Sequence, residues 1–108
     1  MQSLSQQMAV VQPSGSLNAS NASNFQVELT HRIQSQQATG LVVDMSQVES
    51  LDSAGLISLV SALKLARQLS KPFCLCSVPP SIRIVFELTQ LDRVFEMVEE
   101  MPSLSLAA

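Results

Sequence analysis

The feature that most constrains the fold is an apolar strand that leads through a short polar segment into a long helix. Residues 41–45 read Leu-Val-Val-Asp-Met, a pattern typical of a strand that is covered on both faces. Residues 46–50 are polar and predict a loop, and a helical pattern then covers 53–69. In α/β folds, functional residues gather where strand ends meet helix N-termini. We therefore predict that Ser53, at this junction, is the functional centre.

Composition narrows the classes of function. The 108 residues are enough for one domain, and 46% are hydrophobic. The net charge is −3, and the six Lys and Arg residues are scattered, whereas a nucleic-acid-binding surface needs a clustered basic face. The sequence shows neither a signal-peptide pattern nor an uninterrupted apolar span. We expect a cytoplasmic protein without a nucleic-acid or membrane partner.

Further strands and helices alternate along the chain. Strands are predicted at 8–12, 73–78 and 94–98, with a turn at 13–16. The first helix has its apolar positions at Ala22, Phe25, Leu29 and Ile33, and the second at Leu56, Leu59, Val60, Leu63, Ala66 and Leu69, broadened by Ile57, Ala62 and Leu65. The third helix opens at Pro79-Pro80 and buries Ile82, Val85, Phe86 and Thr89.

This alternation predicts an α/β fold. Its sheet is expected to be mostly parallel or mixed, with four to five strands and crossover helices. Residues 8–100 are predicted to form the domain, 1–7 a flexible or edge segment, and 101–108 a loose tail.

The two cysteines, Cys74 and Cys76, lie two residues apart in a predicted strand. An extended backbone holds such neighbours too far apart for a disulfide. No histidine or further cysteine lies nearby in the sequence to complete a metal site. We expect buried, reduced thiols and no metal or cofactor.

Ser53 has three interpretations. Ser53, or Asp52 before it, can simply cap the second helix. Ser53 can be a nucleophile, but Leu51 replaces the first glycine of a G-x-S-x-G elbow, and the only histidine, His31, lies on the outer face of another helix. Finally, Ser53 can be a phosphorylation site at a helix N-terminus, where added charge switches a binding surface.

Two neighbours of the junction are informative. A glycine in a first helical turn, such as Gly55, lowers helix stability. We expect tight helix packing or close approach of another molecule to offset this cost. Asp44 ends the apolar strand and can either orient the Ser53 loop or accept backbone N–H groups.

The junction resembles the signature of the STAS domain, and within that family the single-domain bacterial anti-sigma factor antagonists. The resemblance rests on Leu41–Ser46 followed by Leu51-Asp52-Ser53-Ala54-Gly55-Leu56. Gly15-Ser16-Leu17-Asn18 is similar to the element before the family's first helix, and Phe86–Phe95 to the end of its third helix. The likeness covers about Met8 to Val98.

The resemblance implies a phosphoswitched binding module rather than an enzyme, so no catalytic residue is assigned. Ser53 corresponds to the phosphate acceptor, and Asp52, Ser53, Ala54, Gly55 and Asn18 to the partner-binding surface. The implied partners are an anti-sigma factor that is also a serine kinase of the histidine-kinase-like ATPase type, and a serine phosphatase. The unphosphorylated protein would bind the kinase and be released on phosphorylation. We expect it to act as a monomer. Asn18 departs from the family's aspartate.

An alternative function stays open. STAS domains also serve as structural subunits of transport or lipid-trafficking assemblies, in which case Ser53 would only cap a helix.

Overall fold

The computed structural model describes residues 7–99, and the side chains of residues 8–99. The elements in chain order are β1 (Gln7–Val11), β2 (Ser14–Leu17), α1 (Ala22–Gln34), β3 (Ala38–Asp44), β4 (Gln47–Leu51), α2 (Ser53–Gln68), β5 (Phe73–Cys76), α3 (Pro80–Leu88), a 3-10 turn (Leu91–Arg93) and β6 (Glu96–Val98). The predicted loose tail 101–108 and residues 1–6 of the predicted edge segment lie outside this range. No helix within 7–99 is long and apolar enough to cross a membrane.

The strands form two parallel sheets. The larger sheet has the order β1-β3-β5-β6, and the smaller one pairs β2 with β4. Each strand of the small sheet follows a strand of the large one after a short bend, so the β1–β3 pair continues as the β2–β4 pair. The α/β prediction is confirmed, and every strand pairing of the described residues is parallel.

The polar strands β2 and β4 correct two predictions. The sequence predicted a turn at 13–16 and a loop at 46–50, but Ser14–Leu17 and Gln47–Leu51 pair with each other. Only one side of each strand needs apolar residues, because the pair lies at the end of the larger sheet. Leu17 and Val48 supply them and are buried. The predicted strands at 73–78 and 94–98 are real but shorter.

The main core lies between the helices and one face of the large sheet. Helix α1 buries the predicted residues, Ala22, Phe25, Leu29 and Ile33. Helix α2 buries Leu56, Leu59, Ala62, Leu63 and Ala66. Leu41, Val43 and Leu75 from the sheet complete this core.

The buried faces of α2 and α3 were predicted too wide at three positions. Ile57 is 61% exposed and Leu69 is 43% exposed. Ile57 lies at the margin of the α2 stripe, and Leu69 follows the last residue of α2. Thr89 follows the last residue of α3 and is exposed, with its hydroxyl donating to the Val85 carbonyl at 2.8 Å.

Candidate functional site

The site begins where β2 and β4 end side by side. Leu17 and Leu51 are register partners in this pair. The residues that follow them, Asn18 and Asp52, therefore leave the sheet at the same edge. The Asp52 backbone N–H donates to the Leu17 carbonyl at 3.0 Å, which joins the two chain segments directly.

Asp52, and not Ser53, is the N-cap of α2. Its side-chain Oδ1 accepts a hydrogen bond from the Gly55 N–H at 3.0 Å, and its carbonyl accepts one from Leu56. Ser53 is the first residue of the helix and is exposed. Of the two capping interpretations, the structure supports the one that assigns the cap to Asp52.

The first turn of α2 keeps two unpaired donors. A helix N-terminus has four N–H groups without a helical partner. Asp52 and Gly55 use theirs, as described above. Within residues 7–99, the N–H groups of Ser53 and Ala54 have no such partner. These two donors, together with the helix dipole, favour an anion at this position.

Gly55 lies beneath this surface and is buried. A Cβ atom there would come within 2.8 Å of the Leu17 carbonyl oxygen and 2.8 Å of Leu51 Cδ1. Tight packing against β2 therefore accounts for the glycine. Because Gly55 has no side chain, the first turn of α2, which carries Ser53, packs directly against Leu17.

Asn18 organises the loop beside Ser53. Its side-chain Oδ1 accepts hydrogen bonds from the N–H and the hydroxyl of Ser20, at 2.9 and 2.6 Å. Its own N–H donates to Asn21 Oδ1 at 3.0 Å. In these bonds the Asn18 side chain only accepts, through its amide oxygen. The carboxylate oxygen of an aspartate at this position could accept the same hydrogen bonds.

The side chain of Asp44 accepts hydrogen bonds from Ser46 and Gln12. Its Oδ1 accepts from the Ser46 N–H and its Oδ2 from Gln12 Nε2, each at 2.9 Å. Burial raises the pKa of the carboxyl group, but these hydrogen bonds, led by the bond from the Ser46 backbone, outweigh it and leave the pKa below its usual value. Asp44 therefore acts as a strand-end acceptor that fixes the bend between β3 and β4.

Among the residues that the structure describes, 7–99, no hydrogen bond joins the Ser53 hydroxyl to a side chain that could act as a base. His31 is exposed and lies in the last turn of α1. It is nine residues, or about 13 Å along the helix, from Ala22, the α1 residue whose carbonyl accepts a hydrogen bond from Ser58 of α2. Within residues 7–99, no group of three His, Cys, Asp or Glu side chains is placed to hold a metal ion.

One residue of this site, Ser58, was not predicted from the sequence. Ser58 is a polar residue within the apolar stripe of α2, and it is 2% exposed. Its hydroxyl lies 3.0 Å from the Ala22 carbonyl oxygen of α1. A serine between Leu56 and Leu59 is the signal that could have revealed it, because a buried hydroxyl needs a partner.

A family model and a curated relative both match this chain over most of its length. The model of the STAS domain matches residues 4–103. BtrV of Bordetella bronchiseptica, named as a candidate anti-sigma factor antagonist, is 26% identical over 93 residues, which are 86% of this chain and 79% of BtrV.

Two solved structures extend this likeness. A candidate anti-sigma factor antagonist from Thermotoga maritima is 27% identical with a TM-score of 0.76, over 91% of this chain and 81% of the other. SpoIIAA of Bacillus in its phosphorylated form shares the fold, with a TM-score of 0.69 at 15% identity, over 91% of this chain and 86% of the other.

Proposed function

This chain belongs to the STAS domain family, and on that premise we propose that it is an anti-sigma factor antagonist that works by partner switching. In its unphosphorylated form it binds an anti-sigma factor that is also a serine kinase. Transfer of the γ-phosphoryl group of ATP to the Ser53 hydroxyl causes this protein to dissociate from the kinase. A serine phosphatase then removes the phosphate and restores the hydroxyl. The relatives named as anti-sigma factor antagonists support this class of function.

One observation carries the proposal: Ser53 is an exposed hydroxyl on a helix whose cap is a different residue. Because Asp52 already satisfies the Gly55 N–H, a substitution or modification of Ser53 leaves the cap intact. The alternative, a structural subunit in which Ser53 only caps α2, assigns to Ser53 a task that Asp52 performs.

The helix can accept a phosphate without unfolding. A phosphoserine carries a charge of about −1.5 to −2 at neutral pH. The N–H groups of Ser53 and Ala54 are unpaired at this end of α2, where an anion is favoured by about 0.3–1 kcal/mol. Repulsion from the nearby Asp52 carboxylate offsets part of that gain. SpoIIAA, which shares this fold, has been solved in a phosphorylated form.

A docked partner, in contrast, is sensitive to the phosphate. An unpaired charge buried in an interface costs about 2–5 kcal/mol, which is about 30- to 4000-fold in affinity. Ile57 is 61% exposed and follows Ser53 by one helical turn on the same side of α2. A partner that covers Ser53 therefore also covers this apolar side chain, and its burial favours association.

The test is phosphorylation by a purified serine kinase of the histidine-kinase-like ATPase type from the same organism. We expect incubation with that kinase and ATP to add one phosphate, and mass spectrometry to place it on Ser53. Ser81 is the matched control, because it is also an exposed serine in the first turn of a helix, α3. Ser53→Ala should abolish the modification and Ser81→Ala should leave it unchanged. An unmodified Ser53 in the wild-type protein would contradict the proposal.

A further inference from the structure

Ser58 is a buried hydroxyl that joins the beginnings of two helices. It lies on α2 and is 2% exposed, and it is the one polar residue of the described part of the chain that is buried to this degree. Its Oγ lies 3.0 Å from the Ala22 carbonyl oxygen of α1 and 3.2 Å from the Ala54 carbonyl oxygen one turn earlier on α2. A hydroxyl has one proton to donate, so the two helices share this donor.

Packing alone does not explain a serine at this position. Alanine has nearly the same volume, is the best helix former and leaves no donor to satisfy. A serine that bonds only to the carbonyl four residues earlier competes with the helix. The bond to Ala22, 36 residues away in sequence, is the contact that an alanine could not make.

The two ends of this contact reach the two parts of the candidate site. On α2, Ala54 directly follows Ser53. On α1, the N–H of Ala22 donates to the Asn18 carbonyl at 2.8 Å, and the N–H of Asn21 donates to the same oxygen at 3.0 Å. Residues 18–21 thus form a hydrogen-bonded loop that is joined to Ala22, and the Ala22 carbonyl in turn accepts a hydrogen bond from Ser58.

We infer that Ser58 is a positioning residue that holds the loop 18–21 and the acceptor Ser53 in one preformed surface for the kinase. This inference rests on the proposed function. The Asp52–Leu17 bond and the Gly55–Leu17 contact fix the near edge of the loop, and the Ser58–Ala22 bond fixes its far edge. A surface that is ordered before docking spares the partner the cost of ordering it.

Steady-state phosphorylation of Ser53 by the kinase tests this inference. We expect Ser58→Ala to raise the KM for this protein by roughly 2- to 10-fold, the range that loss of one neutral hydrogen bond supports, with little change in kcat. Asn18→Ala should raise KM in a similar way. In the double variant the two effects should not multiply, because Ser58 acts through the loop that Asn18 organises.

Thr89→Ala is the matched control. Thr89 also donates its hydroxyl to a carbonyl four residues earlier on a helix, but that helix is α3. Its removal should leave KM unchanged. Amide hydrogen exchange adds a readout that needs no kinase: in Ser58→Ala the N–H groups of Asn21 and Ala22 should exchange faster, and in Thr89→Ala they should not.

The outcomes separate this inference from the proposed function. If the wild-type protein is not phosphorylated on Ser53, both fail. If it is phosphorylated but Ser58→Ala changes neither KM nor the exchange of Asn21 and Ala22, or changes only one of them, the positioning role is overturned and the switch stands. Effects on KM that multiply in the Asn18 double variant also overturn it.

Discussion

At Gly55, a missing side chain decides how closely two chain segments approach. The sequence predicted that a glycine in a first helical turn is offset either by tight packing or by a nearby molecule, and the structure identifies the packing partner as the Leu17 backbone. Asp52, Ser53 and Asp44 could be located from the sequence because caps and strand ends have local signatures. For Ser58 the sequence shows only a polar residue within an apolar stripe, and its partner, the Ala22 carbonyl 36 residues away, is known only from the structure.

Gly55→Ala should destabilise the protein. Alanine normally improves a helix by up to about 1 kcal/mol over glycine, but overpacking costs about 1–3 kcal/mol. The nearest atom to the added Cβ is a backbone oxygen, which cannot rotate away. We expect a lower free energy of unfolding in urea denaturation. Ser61→Ala on the same helix is the control and should change it little. A Gly55→Ala protein that is more stable than wild type would contradict the close contact.

At the scale of elements, long periodic segments were predictable and short polar strands were not. Helix α2 was predicted within one residue of its observed end because its apolar residues repeat with the helical period over 16 residues. Strands β2 and β4 read as loops because their sequences, Ser-Gly-Ser-Leu and Gln-Val-Glu-Ser-Leu, are dominated by polar residues. Pairing with each other, rather than local propensity, makes them strands.

Leu63→Ala tests which face of α2 is buried. Leu63 is 5% exposed and belongs to the main core. Its truncation should lower the free energy of unfolding by about 2–5 kcal/mol. Ile57→Ala is the matched control, because Ile57 is an exposed apolar residue on the same helix, and a surface substitution of this kind changes stability by no more than about 0.5 kcal/mol. Equal denaturation midpoints for the two variants would mean that the helix faces are wrongly assigned.

At the scale of the whole molecule, the large sheet has two different faces. The described helices pack on the face that contains Leu41 and Leu75. The opposite face carries a smaller buried cluster, Val42, Cys74 and Cys76. The prediction of buried, unpaired cysteines is confirmed. The separation of the faces follows from the alternation of side chains along each strand.

The cysteines should report unfolding of the whole domain. Cys74 is 7% exposed and Cys76 is fully buried. Burial, with smaller contributions from the charges of Glu96 and Cys76, raises the pKa of Cys74 to about 11. Three pH units below that value, at pH 8, only about one Cys74 thiol in a thousand is the reactive thiolate. Burial, followed by the Asp44 charge, also raises the pKa of Cys76.

We therefore expect a chromogenic disulfide reagent to modify the folded protein slowly at pH 8 and both thiols rapidly in denaturant. Because the pKa of Cys74 is higher in the folded than in the unfolded protein, this thiol leaves the free energy of unfolding unchanged below pH 9, the ordinary thiol value. As the pH rises from 9 toward 11, the unfolded thiol loses its proton first, and the free energy of unfolding falls. Rapid modification of the folded wild-type protein would contradict the burial of this face.

Calorimetric measurement of binding to the kinase tests the proposed partner switching most directly. Wild type and Ser53→Ala should bind with similar Kd values. Ser53→Asp should bind at least about 30-fold more weakly while its thermal unfolding stays close to that of wild type, because the Asp52 cap is intact. Ser81→Asp, which places the same charge on α3, should bind like wild type. Wild-type affinity in Ser53→Asp would contradict the switch.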